Sequence, residues 1–473
     1  MKKFIKKSLI ILVIASFVAI THGCAVIPNV SDTPKTSYQI SLTMQSSPKS
    51  YIGECNVNYT HQDENTLTKM AFNLYPNALK GHGSKMNITS ITIDGVQVGF
   101  SQSGKNGEIL YVNLLEELFP NESVNLCIKY DLTLPEIDGR YGISGETVRL
   151  STFYPSLCVI DRGEWQESKS CTVGDYFYSE KANFEVRITL PYDYQVASSG
   201  KRVSTTKSDE VITHTYKGDN VRDFAMCLST KYHTVSAVYG STLITAYAFS
   251  EEESEKVIEI AQKSFSLYCD KYGKYSHQTF CITLCELDCG GMEYDGIVYV
   301  DRTLKDMELE RVIAHEIAHE WWYAGVGSNP IKYAWLDEGL AEHSTLEYIE
   351  KYYGVEQREK IVSDANSSYV AFTNALKSIR GIADYPMSQD LDKFSSLYEY
   401  VTVTYTKGLL FFENLSSIVG KKKFDEGLKK YYSIFNGKIA EPQDLCECLT
   451  QHGKINLEPV FHAWESGKVY FGT

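Results

Sequence analysis

Two hydrophobic periods divide the chain. Between about residue 36 and residue 234, apolar and polar side chains alternate, for example over residues 38–44, 91–93 and 184–190. A two-residue period is typical of strands with one buried face. Turn-forming pairs such as Asp94-Gly95 and Ser199-Gly200 separate these runs. This part of the sequence predicts an all-β domain of sandwich or saddle form.

The period changes soon after Gly240. Residues 251–272 carry apolar side chains at helical spacing, whereas residues 279–287 and 296–301 have the composition of strands. From Met307 onward the pattern is helical, with further helices predicted over residues 355–376, 401–419 and 422–435. The predicted fold class is therefore α+β, with an N-terminal all-β domain at residues 37–235 and a mostly helical domain at residues 236–473.

The first residues have the features of an export signal. Four lysines within residues 2–7 precede a 13-residue apolar stretch, residues 8–20, which is too short for a comfortable transmembrane helix. Gly23-Cys24 resembles a bacterial lipoprotein cleavage site, although Thr21 and His22 depart from the usual pattern. We predict a signal peptide at residues 1–23, a tether at residues 24–36 lipidated on Cys24, and attachment to the outside of a bacterial cell membrane. Ordinary secretion and an uncleaved anchor remain open alternatives.

Composition narrows the class of partner. A hydrophobic content of 43% indicates a folded globular protein. The formal net charge of −14 argues against binding nucleic acid, or an anionic membrane surface, through broad electrostatic attraction. None of the 12 cysteines forms a CxxC pair, and the sequence assigns no disulfide pairing.

The motif most informative about chemistry is His315-Glu316-Ile317-Ala318-His319. Histidines four residues apart project from one face of a helix and can provide two zinc ligands. Glu338, which follows after 18 residues, can provide a third ligand and leave a fourth position for water, as in catalytic rather than structural zinc sites. Glu316 can then act as a base. The alternative is a helix with an ordinary polar face, but the many large apolar residues around the motif predict a buried helix.

Three motifs together resemble those of the gluzincin aminopeptidases, which include aminopeptidase N and the leukotriene-hydrolysing enzyme. The first is the zinc motif with Glu338 in Trp-Leu-Asp-Glu-Gly. The second, Gly290-Gly291-Met292-Glu293-Tyr294, is similar to the family's Gly-x-Met-Glu-Asn, with tyrosine replacing asparagine. The third, Tyr405-Thr406-Lys407-Gly408, is similar to the family's Tyr-x-Lys-Gly. The resemblance implies a thermolysin-like catalytic domain after the β domain.

The resemblance also implies a role for each site residue. One Zn²⁺ per chain would be held by His315, His319 and Glu338, with Glu316 as general base and Tyr405 as donor to the oxyanion. Substrate would be bound by Gly290, Gly291, Met292, Glu293 and Tyr400, with the Glu293 carboxylate pairing with the free α-amine of a peptide. Asp337 and Glu342 are candidates for hydrogen bonds that orient the histidines, and Trp321, Trp322 and Trp335 are expected in the core.

Two departures from the family pattern affect the predicted function. We find no counterpart of the glutamine or glutamate that the family's N-terminal domain contributes to the amine pocket. The sequence also ends where larger members continue with a helical domain that covers the active site, which implies a more open cleft. We therefore predict a zinc aminopeptidase acting on peptides. A thermolysin-like endopeptidase and a non-catalytic peptide-binding surface lipoprotein are the alternatives.

Overall fold

A computed structural model describes residues 35–469. The predicted signal peptide, Cys24 and nearly all of the predicted tether lie outside this range. Within residues 35–469, no helix combines the length and the apolar character needed to cross a membrane.

Apart from one short 3₁₀ helix, Tyr75–His82, the regular elements in the first part of the described chain are strands. Their bounds are β1 Thr36–Met44, β2 Ser50–Thr60, β3 Leu67–Asn73, β4 Lys85–Ile93, β5 Val96–Gln97, β6 Phe100–Ser103, β7 Ile109–Leu118, β8 Ser123–Thr133, β9 Gly142–Ser144, β10 Thr147–Leu150, β11 Ser156–Leu157, β12 Val159–Asp161, β13 Glu164–Gln166, β14 Ala182–Pro191, β15 Gln195–Ser198, β16 Lys201–Lys207, β17 Val211–Val221 and β18 Met226–Ser229. They form an eight-stranded sheet in the order β16-β17-β14-β1-β2-β8-β4-β5 and three smaller sheets, β15-β18-β10-β9, β11-β3-β7-β6 and β12-β13.

The alternation in the sequence explains how the large sheet buries one face. Along β1, side chains are buried at every second position, from Thr36 and Tyr38 to Met44, because successive residues of a strand point to opposite faces. β1 pairs in parallel with β14 and antiparallel with β2. Its apolar face joins one continuous hydrophobic core with residues from the smaller sheets.

A mixed five-stranded sheet opens the second part. The remaining strands are β19 His233–Tyr239, β20 Thr242–Ala248, β21 Thr279–Cys285, β22 Gly291–Tyr294 and β23 Ile297–Asp301. Their order is β19-β20-β21-β23-β22, so β22 lies at the edge and pairs on one side only, antiparallel to β23. The predicted domain division at residues 235 and 236 remains a prediction.

Helices complete the second part. They are α1 Glu251–Lys271, α2 Asp306–Trp322, α3 Pro330–Tyr353, α4 Val355–Arg380, α5 Leu397–Val401, α6 Gly408–Val419, α7 Lys421–Phe435, α8 Pro442–Gly453 and α9 Glu458–Glu465. A π-helical turn, Thr402–Lys407, joins α5 to α6. At the start of α1 the Ser250 hydroxyl accepts a hydrogen bond from the amide of Glu253, and Asn329 caps α3 in the same way. The order of elements confirms the predicted α+β fold class.

The helical part has its own core, and a smaller apolar cluster joins it to the strands. Trp321, Trp322 and Trp335 are fully buried in the helical core, as predicted. The smaller cluster combines Cys227 of β18 with Cys281 and Cys285 of β21 and with Met292 and Tyr294 of β22. All 11 cysteines within residues 35–469 are free thiols.

Candidate active site

Two adjacent helices bring the predicted metal ligands together. His315 and His319 lie one turn apart on α2, and Glu338 lies on α3, which packs against α2. The Nε2 atom of His315 lies 3.1 Å from Nε2 of His319 and 3.1 Å from Oε2 of Glu338. The third separation, from His319 Nε2 to Glu338 Oε2, is 3.4 Å.

These separations fit a zinc ion. Ligand atoms arranged tetrahedrally around zinc at bond lengths of about 2.0–2.2 Å lie about 3.3 Å from one another. All three side chains are buried, and their ligand atoms converge on one point. Buried polar atoms that converge in this way are expected where a cation belongs.

The electrostatics of the cluster also favour positive charge. Burial lowers the pKa of His319, but Glu293 and Glu338 outweigh it and raise that pKa to about 9. The pKa of His315 is likewise raised against the effect of burial by hydrogen bonds with Glu338 and Glu342. Burial opposes ionisation of Glu338, yet the two histidines hold the pKa of its carboxyl well below the usual range. The carboxylates thus stabilise positive charge at the point where zinc would bind.

Of the two acids predicted to orient the histidines, the structure places one on a histidine. The Glu342 carboxylate lies 3.0 Å from Nδ1 of His315, an arrangement that fixes the ring and leaves Nε2 for the metal. Asp337 has a different partner, because its Oδ1 accepts a hydrogen bond of 2.8 Å from the backbone amide of Glu338.

Glu316 points from α2 towards β22. Its side chain is buried, and its Oε2 has no hydrogen-bond partner among residues 35–469. Burial, with a further contribution from Glu293, raises the pKa of Glu316 to about 8 although His315 and His319 lower it. A Cβ atom on Gly291 would overlap the Glu316 carboxylate. Gly291 therefore leaves the space that this carboxylate occupies.

Glu293 lies on the edge strand β22 with its carboxylate directed towards the metal ligands. It is 6% exposed, and burial raises its pKa. The turn that follows is fixed from the strand-rich part of the chain: Asp295 accepts a hydrogen bond of 2.6 Å from Lys181 and donates its backbone N–H to Asp223 at 3.0 Å. The two parts of the chain therefore jointly hold the strand that carries Glu293.

Tyr405 reaches the metal ligands from the π-helical turn. Its hydroxyl donates a hydrogen bond of 2.5 Å to Oε1 of Glu338. Its ring stacks on His315 with centroids 5.9 Å apart and meets Tyr400 edge-on at 6.0 Å. Tyr400 is buried beside it.

The residues of the predicted site line one cavity of about 770 Å³. Its lining includes all ten residues predicted to bind zinc, to bind substrate or to act in catalysis: Gly290, Gly291, Met292, Glu293, His315, Glu316, His319, Glu338, Tyr400 and Tyr405. Residues that are more than 100 positions apart in the sequence thus surround a space large enough for part of a peptide.

The same cavity contains an acid that the sequence interpretation missed. Asp175, in the strand-rich part, forms an ion pair with Arg140, and both line the cavity. Carboxylate oxygens of Asp175, Glu293 and Glu338 lie within 4.8 Å of one another. Spacing could not reveal Asp175, because it follows Gly174 in an irregular segment. The available signal was only that the family resemblance implies a glutamine or glutamate from the N-terminal domain in the amine pocket.

Comparisons with known proteins agree with this geometry. Residues 250–464 match the family model described as the Peptidase family M1 domain. Aminopeptidase N of Lactobacillus delbrueckii subsp. lactis is 22% identical over 474 residues, covering 90% of this chain and 50% of the relative. Leucine aminopeptidase 2 of Emericella nidulans is 27% identical over 220 residues, covering 44% and 33%. The chain spans half or less of the length of these relatives.

Solved structures show the same fold over nearly the whole chain. The M1 zinc metallopeptidase from Deinococcus radiodurans superimposes with a TM-score of 0.67 at 18% identity, covering 92% of this chain and 94% of the other. A mutant of that metallopeptidase bound to a Tyr-Ser-Ala substrate gives the same score at 17% identity and the same coverage. The match of residues 250–464 to the Peptidase family M1 domain, the aminopeptidase relatives and the shared fold support the resemblance to the gluzincin aminopeptidases.

Proposed function

We propose that this protein is a zinc-dependent aminopeptidase that removes N-terminal residues from peptides. The observation that carries the proposal is the single cavity in which a zinc-binding triad, a buried general base and two carboxylates for an amine lie together. The curated relatives whose names include aminopeptidase support the same class of reaction.

His315, His319 and Glu338 would hold one zinc ion. The other groups of acids and histidines within residues 35–469 that could hold a metal share Glu293, His319 or Glu338 with this site, so the proposal is for one ion per chain. Bound there, zinc polarises the scissile carbonyl and lowers the pKa of water. Side chains of the protein would carry out the proton transfers and stabilise the oxyanion.

Glu316 would act as the general base. Its carboxylate takes a proton from the attacking water and afterwards delivers that proton to the leaving amine. Tyr405 would donate its hydroxyl hydrogen to the oxyanion of the tetrahedral intermediate. Such donors contribute most when burial excludes water and the donor is already positioned.

Glu293 and Asp175 would bind the free α-ammonium of the peptide. Two carboxylates from different parts of the chain, both directed at one side of the triad, fix the amine at a set distance from the scissile bond. That distance limits cleavage to the first peptide bond. Asp175 would thereby take the place of the glutamine or glutamate for which the sequence shows no counterpart.

The proposal extends to location on the basis of the sequence alone. The lysine-rich and apolar segment at residues 1–23, followed by Cys24, supports export and lipid attachment at the outer face of a bacterial cell membrane. Fractionation of cells that produce the protein and a Cys24→Ala variant tests this. Release of the variant alone into the soluble fraction is expected, and membrane retention of both would contradict lipidation.

The activity is tested with a panel of aminoacyl anilides. We expect hydrolysis that stops with a chelator and returns with zinc, and a Glu316→Gln variant that binds zinc normally but has kcat lowered about 10²- to 10⁴-fold. Glu252→Gln, an exposed glutamate on α1, is the matched control and should retain full activity. Hydrolysis that is unaffected by the chelator, or by Glu316→Gln, would contradict the proposal.

A further inference from the structure

The Tyr-x-Lys-Gly segment contains more than a catalytic tyrosine. Lys407, two residues after Tyr405, is completely buried, and the proposed mechanism gives it no task. A buried ammonium group is costly unless it is paired and hydrogen-bonded. The groups that contact Lys407 therefore indicate its structural role.

Lys407 is held by one carboxylate and two carbonyls. Its Nζ donates hydrogen bonds to both oxygens of Asp384, at 2.8 and 2.9 Å, and to the carbonyl oxygens of Tyr385 and Trp464. Burial lowers the pKa of Lys407 to about 8 although Asp384 raises it. The end of the π-helical turn is thus fastened by a buried ion pair.

Asp384 is itself fixed from three directions. Besides Lys407, it accepts hydrogen bonds from the Tyr369 hydroxyl on α4 at 2.7 Å, from the amide of Tyr385 at 2.9 Å and from the amide of Val469 at 3.0 Å. The acceptor is therefore connected to α4 and to the last described residues of the chain. A carboxylate restrained in this way can act as a fixed reference point for Lys407.

A second contact restrains the same segment at Gly408, directly after Lys407. Gly408 begins α6 directly against Gly339 of α3: a Cβ atom on Gly408 would lie 3.1 Å from the Gly339 Cα. Gly339 follows Glu338, the carboxylate that accepts the Tyr405 hydrogen bond. The close approach of the two backbones sets the distance between α3 and the π-helical turn.

π-helical turns contain an extra residue and commonly occur at functional sites. Here the turn Thr402–Lys407 presents Tyr405 to the cavity between α5 and α6. The turn leads directly into α6 at Gly408. The Lys407–Asp384 pair is a polar side-chain contact that restrains this C-terminal end.

We propose that Lys407 and Asp384 form a positioning pair that holds the π-helical turn so that the Tyr405 hydroxyl lies within reach of the reacting carbonyl. The pair does not touch substrate and acts only through Tyr405. This inference rests on the proposed function, because it assigns Tyr405 a task in peptide hydrolysis.

The test is a double-mutant cycle with Tyr405→Phe. The variant Lys407→Met/Asp384→Asn removes both charges at once, which avoids leaving one buried charge unpaired. Lys35→Met/Glu180→Gln is the control, because that lysine and glutamate also pair, at 2.7 Å, but contact no part of the π-helical turn. Steady-state kinetics of zinc-loaded enzyme are measured for each, with and without Tyr405→Phe.

We expect Lys407→Met/Asp384→Asn to lower kcat about 10- to 100-fold with KM changed less than about threefold. In the Tyr405→Phe background the same pair of changes should lower kcat by less than about twofold, because the positioned group is already absent. The control pair should leave kcat within about twofold of the wild type in both backgrounds. Tyr369→Phe, which removes one donor to Asp384, is a milder variant for use if the double substitution prevents folding, with the same non-additivity expected.

Amide hydrogen exchange gives a readout that does not depend on activity. Exchange over residues 399–409 should accelerate in Lys407→Met/Asp384→Asn and remain unchanged over residues 309–322. Wild-type kcat in that variant, or an equal loss of kcat in the Tyr405→Phe background, would overturn the positioning role. A wild-type enzyme that hydrolyses no peptide with zinc bound would refute the proposed function, and the exchange measurement would still decide whether the pair holds the turn.

Discussion

At the scale of single residues, the space around Glu316 depends on a neighbouring strand. The carboxylate occupies the volume that a side chain on Gly291 would need. From the sequence, both Gly290 and Gly291 were predicted to bind substrate. The structure adds a second role for Gly291, which leaves room for the Glu316 carboxylate, whereas Gly290 faces Val312.

Gly291→Ala should therefore damage catalysis more than Gly290→Ala. In the first variant the new methyl group displaces the Glu316 carboxylate, and a misplacement of about 1 Å can cost about 10²-fold in rate. In the second the methyl group meets Val312 at 3.4 Å, which is ordinary contact, so a change of less than about fivefold is expected. Measurement of kcat for the two variants checks this, and equal losses would contradict the reading of Gly291.

Residue spacing predicted most of the site but not all of it. His315, Glu316 and His319 share one helix, so their relation follows from helical geometry alone. Asp175 lies 118 positions before Glu293 in an irregular segment, and its place beside Glu293 depends on how the strands pack. No local periodicity in the sequence predicts such a contact.

At the scale of elements, the structure corrects the predicted helix over residues 401–419. The chain forms α5, a π-helical turn and α6 there, because apolar spacing over two or three turns does not distinguish α-helical from π-helical hydrogen bonding. The long helices and the alternating strands were predictable because each repeats one period over many residues. The irregular turn carries Tyr405, so the element that was hardest to predict is also the one that holds a proposed catalytic residue.

A network of charges around Glu347 connects four helices. Glu347 of α3 pairs with Lys271 of α1 at 2.8 Å, with Lys421 of α7 and with Arg358 of α4. Burial opposes its ionisation, but His343 and Lys271 lower its pKa from 4.5 to about 2. Because the folded-state pKa lies below the unfolded value, the pairing stabilises the fold above pH 4.5, and this stabilisation is lost as the pH falls towards 2.

Glu347→Gln should accordingly make stability less sensitive to acid. The free energy of unfolding of the wild type should exceed that of the variant at pH 6, and the difference should shrink by about 2 to 3 kcal/mol between pH 6 and pH 2.5. Urea unfolding at a series of pH values measures this. Glu350 also pairs with Lys421 but is more exposed than Glu347. Glu350→Gln is therefore the control, and a much smaller change in the free energy of unfolding is expected. A difference in the free energy of unfolding between wild type and Glu347→Gln that stays constant with pH would contradict this role of Glu347.

At the scale of the whole molecule, the active site depends on both parts of the chain. Arg140 and Asp175 come from the strand-rich part, the triad and Glu316 come from α2 and α3, and a shared apolar cluster joins the two parts. The sequence predicted both parts and their order. Their relative placement depends on buried contacts such as Lys181 with Asp295, which no single segment specifies.

Zinc removal should lower the stability of the folded protein. A ligand present at about 1,000 times its Kd stabilises the folded state by about 4 kcal/mol, and here the ion would also satisfy buried histidines. Thermal unfolding with zinc, with chelator and after zinc is restored should show a reversible fall of several degrees in the Tm. Glu338→Gln, which lacks one ligand, should show a smaller difference. An unchanged Tm in the wild type would contradict a zinc site formed by these three residues.

The central claim is that a free α-amine is required for cleavage, and one comparison tests it directly. Hydrolysis of a short peptide is measured beside hydrolysis of its N-acetylated form, with the wild type and with Glu293→Gln and Asp175→Asn. The account predicts that acetylation lowers kcat/KM about 10²-fold or more in the wild type, and that each substitution narrows this ratio by weakening binding of the free amine. Equal cleavage of the two peptides by the wild type would contradict the account and would indicate an endopeptidase.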